Sequence, residues 1–383
     1  MLLKDKKVAI VGGGPGGLTL ARLLQLKGVD VKVYERDVHA EIRHQGSTLD
    51  LHEESGLEAL RRADLMTQFK ANHRPDAGRF IILDKNGNIV LDEHALGDEY
   101  EETRPEIDRQ ALRNILLESL TPDTVVWDSH FISMEPQGEG WLLHFKNQTV
   151  YADFVAAADG ANSKIRPYIT DIKPIYSDIT IIEGNVYNAA KNAPKMWELT
   201  NNGAGSVMIL GDNQSLSMNT KADGTLSFYS GNKFPENWVK ESGIDFKDKK
   251  AVEAWFKEQF GSWHSMYQEL LASDEVSIVP RPMYHFPFDQ TWETLPNLTM
   301  LGDAAHRMPP YAGEGVNMAM QDAFELAECL TGNDFKNITD AVSKYELNMQ
   351  KRASEVTQDT LQNTIIIHSD DAIEKMVAML SGE

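Results

Sequence analysis

A single cysteine, Cys329, stands in 383 residues. One thiol excludes an intrachain disulfide, a Cys-x-x-Cys redox pair and any multi-cysteine metal or iron–sulfur site. Basic residues are also scarce: 37 Lys and Arg against 58 Asp and Glu leave a formal charge of −21. Nucleic acid and anionic membranes demand a basic face, so neither is expected as a partner. No apolar run approaches the roughly 18–20 residues that span a bilayer. The opening MLLKDKKVAIVGGG runs into a glycine cluster without a small-residue cleavage site, so the expectation is a cytoplasmic protein, and a monomer. The rest is ordinary for a globular chain, with 42% hydrophobic and 25% charged residues. At roughly 150 residues per domain, two or three domains are expected.

Residues 7–11 (KVAIV) form a β-branched run that stops at Gly12, Gly13 and Gly14, and leucines then recur at helical spacing up to Gly28. VDVKVYER follows as a second strand, which makes a parallel βαβ unit. Residues 56–69 and 109–120 read as helices, and 78–91 as a hairpin turning at Asn86-Gly87. From 172 to 275 short strands separated by turn clusters predict an antiparallel sheet. LTMLG is a buried strand ending at Asp303, followed by a long helix, and the chain from about 339 is mostly helical.

The turn Gly12-x-Gly14-x-x-Gly17, with Pro15 inside it, lies between strand and helix. The first glycine makes the tight turn, the second lets the backbone approach a pyrophosphate, and the third lets helix and strand pack closely. The helix N-terminus stabilises the anion. Glu35 ends the second strand, where a carboxylate accepts from an adenosine ribose. This unit predicts a dinucleotide and leaves its kind open. Two further motifs place Asp159-Gly160, then Ser163 and Arg166, after one strand, and Gly302-Asp303 after another. A strand-end aspartate can bond a sugar-like hydroxyl. The loop and helix start at Gly313, Gly315, Val316 and Asn317 offer N–H groups to phosphate or ring oxygens.

Together GGGPGG, ADGANSKIR and GDAAHRMPPYAGEGVN resemble the FAD-dependent aromatic hydroxylases, the p-hydroxybenzoate hydroxylase-like flavoprotein monooxygenases. VYERD, GSTLDLHEESGLEAL and RPEIDRQALRNILLESL extend the resemblance to the TetX-type tetracycline-inactivating enzymes over nearly the whole chain. The resemblance implies a mixed α/β fold: a Rossmann-like FAD domain (1–72, 103–171, 276–330) interrupted by an antiparallel substrate domain (73–102, 172–275), with bridging C-terminal helices (331–383). It implies that Glu35 and Arg36 hold the adenosine, that Asp50, Arg109, Asp159 and Asp303 contact FAD, and that Arg43 is tied to nicotinamide use. Pro310 and Gly313 would stiffen the loop over the flavin. Substrate contacts are implied at Glu183, Ser227, Pro310, Tyr311, Gly313, Asn363 and Ile367.

No Ser-His-Asp set, HExxH or carboxylate pair stands out, and no side chain is assigned as catalytic. The implied chemistry lies in the cofactor: NADPH or NADH reduces FAD, O2 adds as a flavin C4a-hydroperoxide, and an aromatic or polycyclic substrate is hydroxylated. A second glycine fingerprint is absent, which fits a transiently bound nicotinamide. The alternative is an FAD reductase of the same fold that acts on a double bond without oxygen insertion. Some positions depart from the family. Glu314 replaces the glutamine of Gly-Gln-Gly and is expected to face solvent or a lysine. Glu183 and Ser227 stand where the tetracycline enzymes have glutamine and histidine, and no arginine occurs between Arg166 and Arg281. His306 reads as a packing histidine. Met196, Trp197, Met208, Met218, Phe228 and Tyr229 either line a flat apolar pocket or form sheet core.

Overall fold

A computed structural model describes residues 1–42, 48–75, 77–99, 102–201 and 205–381. Its first sheet is parallel and five-stranded, in the order Leu298–Met300, Phe154–Ala157, Val8–Val11, Val31–Tyr34, Val125–Val126. Val8, Ala9, Ile10 and Val11 are all buried, as a parallel strand covered on both faces requires. The helix Pro15–Leu26 starts directly after this strand, with Pro15 in its first turn, where a missing N–H costs nothing. It packs tightly on the helix Gly315–Thr331: a methyl group at Gly16 would stand 2.9 Å from the Ala319 carbonyl oxygen.

The second sheet has seven strands: Val276–His285, Ile175–Val186, Leu226–Lys233, Gln214–Thr220, Ser206–Gly211, Phe80–Asp84, Ile89–Asp92. All pair antiparallel except Phe80–Asp84, which runs parallel to Ser206–Gly211. One face rests on Trp255, Phe256, Phe260 and Trp263. A small sheet of Thr48–Asp50, Glu106–Asp108 and His73–Arg74 lies between the two large ones in the chain's path. The 30-residue helix Ile338–Ile367 bridges them. At one end Tyr345 donates its hydroxyl to the Met300 carbonyl at 2.9 Å. At the other Ile367 packs with Ile82 and Leu210 of the second sheet.

The mixed α/β class matches the sequence reading, with local corrections. Residues 56–69 form two helices, Gly56–Arg62 and Met66–Asn72, because Asp64 between them takes φ +59°, where an α-helix cannot continue. The strand Val276–His285, expected with the cofactor unit, pairs instead with Ile175–Val186. Pro280 and Pro282 mark it as an edge strand, since neither can donate to a second neighbour. Among the described residues no helix is long and apolar enough to cross a membrane, and no cluster of His, Cys, Asp or Glu could hold a metal ion.

Candidate functional site

Two cavities open at the strand ends of the parallel sheet and share Gly14, Pro15, Arg109, Ala158 and Gly160. The smaller, about 330 Å³, is a trough walled by Gly12, Glu35, Arg36, Asp37, Arg113 and Asp159. The larger, about 610 Å³, lies between Asp50, Glu106, Asp303, His306 and the Pro310–Val316 loop on one side and Ser217, Asn219 and Tyr229 of the seven-stranded sheet on the other.

The glycine turn is shaped by contact. Gly12 sits at φ +114°, and a methyl there would meet the Ala158 carbonyl oxygen at 2.1 Å; one at Gly17 would meet Gly12 O at 2.2 Å. At Gly14, Gly160 and Gly315 a methyl would meet nothing within 4 Å, so the backbone there stands open to the cavities. Glu35 is buried, accepting from Gly13 N at 2.6 Å and Asp37 N at 3.0 Å. Arg113, absent from the sequence reading, is buried beneath the turn. It donates to Ala40 O at 2.8 Å and Gly13 O at 3.4 Å and pairs with Asp37 at 3.4 Å. Its signal lay in the spacing: Arg109 and Arg113 are four apart on one helix face.

These residues fit an anionic dinucleotide. Arg109 Nε and Asp159 Oδ1 are buried without a hydrogen-bond partner, and both residues line the cavities. A phosphate would satisfy the guanidinium, and burial raises the Asp159 carboxyl toward a form that shares hydrogen bonds with a ligand. Arg36 is exposed at the trough. Arg43 lies outside the described residues.

At the opposite wall Gly302 (φ +59°) turns the chain into the short helix Asp303–His306. Asp303 is exposed to the larger cavity. His306 does more than pack. Its Nε2 lies 2.5 Å from Asp322 Oδ2, which also accepts from Gly302 N at 2.9 Å, while Asp322 Oδ1 pairs with Arg352 at 2.7 Å. Burial opposes a charge on Asp322, yet His306 and Arg352 hold its carboxyl below the usual range. Arg166, of the second motif, fixes the same helix by donating to Ala304 O at 3.0 Å and Ala305 O at 2.9 Å.

Glu314 is half-buried, and its partner is a histidine rather than a lysine. It meets His52 at 3.2 Å, and His52 meets Asp50 at 3.0 Å. Burial alone would lower the His52 pKa, but the hydrogen bonds and charges of Asp50 and Glu314 push it up to about 9. The Asn317 side chain is used within the protein, accepting from His52 N and donating to Asp50 O, both at 2.9 Å. Beside them Glu106 lines the cavity with Oε2 buried and unpartnered. Burial raises its carboxyl to about 7.

The expected substrate residues divide. Pro310 and Gly313 line the larger cavity. Glu183 does not: it is buried and ion-paired with Arg281, whose strand pairs with that of Glu183 and not with the cofactor unit's sheet. Ser227 faces the same way but is fully buried, bonded to Asn185 at 2.8 Å. Asn363 donates to Tyr311 O at 3.0 Å, and the Tyr311 hydroxyl lies 3.5 Å from His368 Nε2, so both brace the loop against the long helix. Ile367 is core. Of the apolar set, Tyr229 lines the cavity, Met218 touches its wall but packs with Met196, Trp197 and Phe228 under the sheet, and Met208 packs near Ile367.

Comparison with known proteins agrees with this geometry. The chain is 27% identical to the monooxygenase asqM of Emericella nidulans, covering 99% of both chains. It is also 27% identical to the 3-amino-4-hydroxybenzoate 2-monooxygenase PtmB3 of Streptomyces platensis, covering 95% of this chain and 89% of that one. Its fold is shared with Klebsiella pneumoniae HpxO complexed with FAD and uric acid (TM-score 0.77, 20% identity, 100% of this chain and 94% of that one). The tetracycline destructase Tet(55) shares it too (TM-score 0.78, 17% identity, 100% and 96%). The family profile described as FAD binding domain matches residues 5–360, and with the open glycine turn, the unpartnered Arg109 and the paired cavities in place, the chain belongs to that FAD-binding family.

Proposed function

We propose that the protein is an FAD-dependent monooxygenase that uses NADPH or NADH with O2 to hydroxylate an aromatic or polycyclic small molecule, with a tetracycline-type scaffold as the first polycycle to test. The observation that carries this reading is the joining of the two cavities at Gly14, Pro15, Arg109 and Gly160. The trough of about 330 Å³ leads there into a chamber of about 610 Å³ walled on its far side by a separate sheet, which would leave a second molecule a place beside the cofactor's reactive end. The names of the relatives asqM and PtmB3 support the same reading.

FAD, when bound, supplies the redox and oxygen-transfer chemistry. The chain's residues orient and enclose. Glu35 and Arg36 would hold the adenosine end, and Arg109 with the N-terminus of Pro15–Leu26 the pyrophosphate. Asp303 would take the ribityl hydroxyls and the amides at Gly315 and Val316 the ring oxygens. Asp322, held ionised, keeps the proton of the His306 contact on His306 Nε2 and fixes the imidazole edge at the chamber. The loop Pro309–Gly313, braced through Tyr311 and Asn363, would form one wall of the chamber.

The test is to incubate the FAD-loaded protein with NADPH, air and a tetracycline and record the drug's mass. A gain of one oxygen atom is expected. An unchanged drug with NADPH consumed discards tetracyclines and keeps the flavin chemistry, whereas turnover under strict anaerobiosis replaces the monooxygenase by a reductase.

A further inference from the structure

The chamber wall built by the seven-stranded sheet holds a polar row with one gap. Asn185, Ser227 and Asn219 stand opposite one another on three neighbouring strands, so their side chains share a face. Ser227 Oγ donates to Asn185 Oδ1 at 2.8 Å, and Lys221 Nζ donates to the same oxygen at 2.9 Å. Those groups satisfy one another. Asn219 is the member of the row that lines the chamber, and its Oδ1 is buried without a hydrogen-bond partner. A buried acceptor left unpaired loses a hydrogen bond it would have in water, so a ligand gains by bringing an N–H or O–H to it.

Charge points the same way. Among the described residues that line the chamber, Asp50, Glu106 and Asp303 carry carboxyls, while the guanidinium of Arg109 belongs to the junction with the trough. The sheet wall is built there of the neutral residues Ser217, Asn219 and Tyr229. Arg281, on the same sheet face, is ion-paired with Glu183, and Lys221, whose pKa burial lowers against the pull of Asp223, Glu183 and Asp108, is engaged with Asn185. With the Arg109 guanidinium taken up by the cofactor's pyrophosphate, a carboxylate ligand would meet only carboxyls and neutral or already paired groups among the described lining residues, and a charge taken out of water without a partner is costly.

We infer that the chamber selects a neutral aromatic substrate carrying an N–H or O–H donor, read by Asn219 Oδ1, and rejects its carboxylate analogue. The inference rests on the reading of the larger cavity as the substrate chamber of an FAD enzyme.

The test is calorimetric titration of the oxidised, FAD-loaded protein, without reductant, by benzamide and by benzoate, which share shape; the amide is neutral and brings an N–H donor, whereas the ionised acid brings none. The amide should bind at least about tenfold tighter, the equivalent of one hydrogen bond. Asn219→Leu should weaken the amide about tenfold and leave the benzoate unchanged, with the melting temperature confirming the fold. Equal or tighter binding of the benzoate overturns the inference, as does an Asn219→Leu protein that keeps the wild-type amide affinity, or a wild-type protein that binds neither compound. The wild-type ratio decides the matter even if the variant fails to fold. Since nothing turns over in this experiment, a failure of oxygen insertion would sink the monooxygenase reading and leave this result standing; a protein that takes up no FAD overturns both.

Discussion

Glu314 Oε1 lies 3.2 Å from His52 Nδ1, which ties the loop before the helix Gly315–Thr331 to the strand Thr48–Asp50 through a cationic imidazole. The residue that departs from the family's Gly-Gln-Gly thus has a partner of opposite charge, and the pair neutralises what the sequence presents as an awkward anion near the cofactor.

This contact makes the first pH prediction. With its pKa raised from 6.5 to about 9, His52 contributes stability fully below pH 6.5 and loses it as pH rises through about 9. Thermal melts from pH 6 to 10 should show the melting temperature falling between about pH 6.5 and 9 and levelling off above. Glu314→Gln should lower the melting temperature at pH 7, by about 1–2 kcal/mol in stability, and flatten the fall. A variant with the wild-type slope would show that another group titrates there.

Glu106 acts in the opposite sense to a salt-bridged carboxylate. Its folded pKa of about 7, raised by burial, exceeds the ordinary 4.5, so between those values the folded chain holds a proton that the unfolded chain has released. Stability should therefore fall as pH rises from 4.5 to 7 and stay low above it. Glu106→Gln should remove this loss, so its melting temperature should exceed wild type more at pH 8 than at pH 5. An equal offset at both pH values would contradict the assignment.

The glycines of the turn should separate folding from cofactor binding. Gly12→Ala drives a methyl into the Ala158 carbonyl at φ +114° and should cost about 3 kcal/mol or more. Gly14→Ala meets nothing in the protein and should keep the apoprotein's melting temperature while losing flavin, read as the ratio of visible to ultraviolet absorbance. Full flavin content in Gly14→Ala would place the pyrophosphate elsewhere.

Arg113→Met should be among the most damaging changes outside the apolar core. It leaves Asp37 buried without its cation and strips donors from the Ala40 and Gly13 carbonyls. A loss of about 3–5 kcal/mol is expected in urea unfolding. Adding Asp37→Asn should restore part of it, because the stranded charge is gone.

The parallel sheet, the glycine turn and the long helix after Asp303 were legible because each is local: β-branched runs, glycines at fixed offsets and a strand end announce themselves within about thirty residues. The cavity roles of Gly14, Asp303 and Gly313 come with them as placements. What escaped is what folding brings together from afar. His52 and Glu314 are remote in sequence, as are Glu183 and Arg281, and neither pair leaves a periodicity. Asp64 broke a helix that an uninterrupted amphipathic pattern predicts, through a single backbone conformation. Ser227 and Ile367 sit at positions matched by resemblance, but local packing closes them off.

The parallel pairing of Phe80–Asp84 with Ser206–Gly211 also dictates an order of assembly. During synthesis the hairpin Phe80–Asp92 leaves the ribosome with a bare edge and must wait for a strand made much later, while Val276–His285 completes the other border last of all. An open β-edge held that long invites pairing with a neighbouring nascent chain. Slow maturation and a tendency to aggregate on overproduction are therefore expected of a chamber wall stitched from three distant stretches of polypeptide.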